Sequence, residues 1–93
     1  MKNLVLSGLF LVSSTVVMAG GSKLVDTQEA VNEALAEFQK TQTHEVVDSF
    51  NGVKAWPTKG GVKAKIYLTG NGSISYSCHR HDSDEPFECH ESN

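Results

Sequence analysis

The sequence predicts an α+β domain: one N-terminal helix packed on a small antiparallel meander of three to five strands, stapled by one disulfide. Three observations predict it. Apolar residues recur at helical spacing between Asp26 and Lys40, the spacing turns to alternation after Val62, and two cysteines, Cys78 and Cys89, stand near the end of the chain.

The first nineteen residues read as an export signal rather than as part of the fold. Lys2 provides the positive start, Leu4 to Met18 is a mainly apolar run, and Val17-Met18-Ala19 ends it with the small residues that a signal peptidase recognises. The run is shorter than the roughly 20 apolar residues that span a bilayer, so cleavage after Ala19 is expected rather than anchoring. Residues 20–93 then form one small domain, with no membrane insertion after cleavage, and the expected address is the periplasm or the outside of the cell.

Asp26 is placed to cap the helix, with Glu29 three residues on to complete a capping box. The helix is expected to end near Lys40. Val31, Leu35 and Phe38 recur at i, i+4 and i+7 with Ala34 beside them, giving one narrow apolar stripe to lay on a sheet. Glu29, Glu33 and Glu37 line another face, which reads as solvated.

From His44 onward the composition shifts to β-branched residues, aromatics and turn formers. Asn51-Gly52 supplies the residue pair of a tight hairpin, so Glu45 to Phe50 and Val53 to Trp56 are expected to be its two strands. Pro57 should stop the second of them, and Trp56 is expected in the core. In the next hairpin, Val62, Ala64, Ile66 and Leu68 alternate with Lys63, Lys65 and Tyr67. Across Gly70-Asn71-Gly72, Ile74, Tyr76 and Cys78 alternate with Ser73, Ser75, Ser77 and His79. One face is therefore apolar and the other wet. Asn71-Gly72-Ser73 also matches a glycosylation acceptor, but a turn accounts for the same residues.

Exported proteins oxidise paired cysteines, so Cys78 and Cys89 are expected to be bonded. If they oppose each other in an antiparallel ribbon, His79 faces Glu88, Ser77 faces His90 and His81 faces Pro86. The disulfide then points to the core while His79, His81, Glu88 and His90 gather on the wet side. Imidazole and carboxylate donors in that number suit zinc or copper(II). A zinc finger would instead need both cysteines as thiolates. The acidic stretch Asp82-Ser83-Asp84-Glu85 lacks the spaced ligands and glycine of a calcium loop.

Charge narrows the partners. The chain carries a net charge of −3, and loss of Lys2 with the leader leaves seven basic residues against eleven acidic ones. That balance lacks the basic footprint of a nucleic-acid binder. The serines and histidines assemble no nucleophile, base and oxyanion donors in one place, and His44 reads as a loop residue, so catalysis is not expected. The sequence therefore predicts a small exported non-enzymatic interaction module whose partner is another envelope or extracellular protein. The alternative is a periplasmic accessory protein that binds zinc or copper through its C-terminal histidine cluster.

Overall fold

A computed structural model describes residues 22–92 of the chain, so the expected leader lies outside the described residues. The elements run α1 (Ser22–Thr41), α2 (His44–Asp48), β1 (Phe50–Thr58), β2 (Gly61–Leu68), β3 (Ser73–His79) and β4 (Glu88–Ser92). The four strands form an antiparallel meander in the order β1-β2-β3-β4, and α1 packs across one face of it. This is the expected α+β architecture with its disulfide, Cys78 to Cys89, in place.

Helix α1 starts four residues before Asp26, so the aspartate is not its cap. Its buried line is Ala30, Ala34 and Phe38, with Leu35 packed at the margin. The contact face is thus centred on i, i+4, i+8 positions rather than on Val31. Two alanines at the centre let the helix backbone descend onto the sheet: the Cys89 and Cys78 sulfurs lie 3.6 and 3.8 Å from the Ala30 carbonyl oxygen. A disulfide sulfur has no proton to donate, so these distances report close packing.

The segment Glu45 to Asp48, expected to be a strand, is helical. Thr43 caps it, its hydroxyl accepting from the Val46 amide at 3.3 Å, and Ser49 closes it by donating its amide to the Val46 carbonyl at 3.0 Å. This local capping outweighs the β propensity of Val46-Val47, which is weak and context-dependent. Both valines still reach the core margin.

Asn51-Gly52 is not a hairpin turn. Phe50 pairs with Leu68 and Gly52 with Tyr67, so Asn51 is the extra residue of a β-bulge inside β1. The β1–β2 hairpin turns instead at Lys59-Gly60, where Thr58 pairs with Gly61. Pro57 does not end the strand, because β1 is an edge and a missing N–H on its open side breaks no ladder bond. In the β2–β3 turn Gly70 and Asn71 both adopt positive φ, 87° and 82°, which suits glycine and asparagine.

The core joins Ala30, Ala34 and Phe38 of α1 to Val62, Ala64, Ile66, Tyr76, Cys78, Phe87 and Cys89. Every strand residue in that set lies on the face predicted to be apolar. Trp56 does not join them. It pairs with Lys63 on the outer face and is 38% exposed. The tight turn at Lys59-Gly60 sets this phase, directing Val53, Ala55 and Pro57 toward the helix side and Lys54, Trp56 and Thr58 away from it.

Candidate functional site

Strands β3 and β4 pair in the register that the disulfide requires: Ser77 opposite His90, Cys78 opposite Cys89, His79 opposite Glu88. Alternation then decides the faces. Cys78 and Cys89 turn inward and are 2% and 8% exposed, while their neighbours in sequence, His79, Glu88 and His90, turn outward. Each ligand candidate is therefore adjacent in sequence to a half-cystine that is anchored in the core.

The outward side chains meet. The His79 and His90 rings lie 5.5 Å apart between centroids, and His90 Nε2 stands 3.7 Å from Glu88 Oε1. One ligand atom from each of His79, Glu88 and His90 can be chosen so that all lie within 4.8 Å of one another, so the three could hold a metal ion. His81 is not among them. Pairing ends at His79 and Glu88, and the chain then passes through Arg80 into a loop, so the expected opposition of His81 and Pro86 does not form.

Arg80 stands where the pairing stops. It follows Cys78 by two residues and keeps the inward phase, so its side chain runs under α1. Its guanidinium donates to Asp26 Oδ1 at 2.6 Å and Glu29 Oε1 at 3.0 Å, and it lies 4.4 Å from the Phe87 ring centroid. The arginine side chain is 15% exposed. Asp26 and Glu29, read from the sequence as a cap and a solvated row, are the carboxylates that receive it. Sequence reasoning passed over Arg80; the signal was its phase, which continues the inward series of Ile74, Tyr76 and Cys78.

On the outer face, strand pairing sets rows of polar side chains. Lys54, Lys65, Ser75 and Ser92 make one row across the four strands, and Trp56, Lys63, Ser77 and His90 make the next. Lys63 Nζ reaches Ser77 Oγ at 3.4 Å and Ser92 Oγ at 3.3 Å. Among the described residues no helix is long and apolar enough to cross a membrane. No family model, no curated protein and no solved structure matches the chain.

Proposed function

We propose that this chain is a non-enzymatic binding module of the periplasm or the extracellular space, and that the ligand its geometry favours is a zinc or copper(II) ion. His79, Glu88 and His90 would hold it. The observation that carries this reading is the convergence of two imidazoles and a carboxylate within 4.8 Å on a hairpin whose other face is cross-linked. Nitrogen and oxygen donors of this kind suit both metals, and three protein ligands leave a position for water or a further donor. Copper(II) should bind more tightly than zinc, following the general order for such donor sets. The disulfide supports the address as well, since bonded cysteines persist in oxidising compartments.

Calorimetric titration of the oxidised protein with Zn²⁺ and with Cu²⁺ tests it. One ion per chain is expected, with affinity lowered by roughly tenfold or more in His79→Ala and in His90→Ala, and unchanged in His81→Ala. Binding that survives both ligand variants, or that depends on His81, removes the reading.

A protein partner from the envelope is the second reading. The observation that favours it is the open edge of β1 with Phe50 and Val53 exposed beside it, 43% and 37%, which suits strand addition. Chemical cross-linking in envelope extract should then join a partner to β1, and a Val53→Pro variant should abolish the product. Cross-links that persist in that variant argue for another surface.

A further inference from the structure

The outer sheet face carries a charge arrangement that folding does not explain. Lys54 and Lys65 stand directly opposite each other on β1 and β2, and Lys63 lies two residues from Lys65 on the same face. Like charges opposed across strands destabilise a sheet. Among the described residues none of the three lysines forms an ion pair. Of the strand residues on this face Glu88 is the one acid, and it sits on the far edge strand. The acids of α1, namely Asp26, Glu29, Glu33 and Glu37, belong to the other layer. A chain with a net charge of −3 has therefore sorted three cations onto one bare face.

Two aromatic side chains accompany them. Lys54 Nζ lies 5.7 Å from the Trp56 ring centroid, and Lys65 Nζ lies 5.3 Å from that of Tyr67. Each ring thus carries an ammonium over its face, which helps to hold the cation in place but leaves its charge uncompensated. Ser73, Ser75, Ser77 and Ser92 add to this face hydroxyls able both to donate and to accept. Cations spaced across an exposed hydroxyl-bearing sheet match a chain of linked sugars that alternates negative groups with hydroxyls. They match single-stranded nucleic acid less well, since bases need free ring faces on which to stack.

From this we infer that the outer face of β1, β2 and β3 binds an anionic polysaccharide, one bearing carboxylates on its sugars, with Lys54, Lys63 and Lys65 receiving the charges and the serine rows the hydroxyls. The site shares no residue with the histidine group, which adjoins it where Ser77 stands opposite His90, and it does not need a metal.

Trp56 is the single tryptophan of the chain, so its fluorescence reports on this face directly. The oxidised protein is titrated in EDTA with polygalacturonate oligomers, neutral dextran, oligothymidylate and phosphatidylglycerol vesicles. A saturable Trp56 response to polygalacturonate is expected, weakened by added salt and absent with dextran. Lys54→Gln with Lys65→Gln should weaken it by roughly tenfold or more, two charge contacts being lost. The same double variant should unfold at an equal or higher urea concentration, because it relieves the opposed charges. Weak binding then cannot be ascribed to unfolding. No response to polygalacturonate, undiminished affinity in the double variant, or equal or tighter binding of oligothymidylate or vesicles would each overturn the assignment. Because EDTA is present, none of these outcomes depends on the metal reading.

Discussion

Arg80 and Asp26 are 54 residues apart in sequence and 2.6 Å apart in space, joining the end of β3 to the first turns of α1. The same guanidinium holds Glu29 and covers Phe87, so one side chain ties the helix, the third strand and the loop before β4 together. With 15% of the arginine side chain exposed, these contacts are better shielded from water than an ordinary surface pair.

Arg80→Met keeps much of the apolar stem and removes the charge. It should cost about 1–3 kcal/mol, combining loss of two charge-assisted hydrogen bonds with loss of the cation over Phe87. Urea unfolding measures the loss. A double-mutant cycle with Asp26→Asn isolates the pair, and a coupling energy near zero would mean that Asp26 contributes nothing to holding Arg80.

Opening the disulfide should act on stability and on metal binding together. Its two half-cystines are 11 residues apart, and closing a loop of that size stabilises by about 3 kcal/mol in the chain-entropy model. Cys78→Ala with Cys89→Ala should lose about that much in urea unfolding. It should also weaken zinc and copper(II) binding, because β4 would no longer be tied to β3 beside the ligands. Full metal affinity in the variant would show that strand pairing alone holds His79, Glu88 and His90.

Gly60 and Gly61 are neighbours with opposite tolerances. A methyl group at Gly60 meets nothing within 4 Å, whereas at Gly61 it would fall on the Cys78 carbonyl oxygen, with His79 Cα 3.3 Å away. Gly60→Ala should therefore leave the unfolding midpoint nearly unchanged. Gly61→Ala should destabilise by about 1–3 kcal/mol or more, since the obstacle is backbone and must move. Equal midpoints for the two variants would contradict the close approach of β2 to β3 at this point.

Tyr76 is 1% exposed, and among the described residues its hydroxyl has no hydrogen-bond partner. An unsatisfied buried hydroxyl costs about 1–3 kcal/mol, so Tyr76→Phe should be neutral or stabilising by about that amount. A clear loss of stability on thermal unfolding would show that the hydroxyl is engaged.

The wet and apolar faces of β2 and β3 were legible residue by residue, because alternation in Val62 to Leu68 and Ser73 to His79 is strict. The disulfide register followed from two cysteines and from the fixed pairing of antiparallel strands, and it carried His79, Glu88 and His90 to one side. The region from His44 to Trp56 misled for local reasons. Val46-Val47 has the composition of a strand, yet Thr43 and Ser49 cap it into a short helix. Asn51-Gly52 has the chemistry of a turn, yet it serves equally as a bulge. The turn lies instead at Lys59-Gly60, and pairing counted from it puts Trp56 opposite Lys63 on the outer face.

By itself, then, the sequence determined the layer architecture, the covalent staple and the face on which most strand residues lie, since these depend on periodicity and on pairs close along the chain. Tertiary structure alone decided that Ala30, rather than Val31, meets the disulfide, that Asp26 and Glu29 serve Arg80, and that His81 stands apart from the other histidines. Each of these turns on the rotation of a helix about its axis or on where strand pairing stops. Such choices are settled by packing between segments distant in sequence, for which a single linear pattern holds no signal.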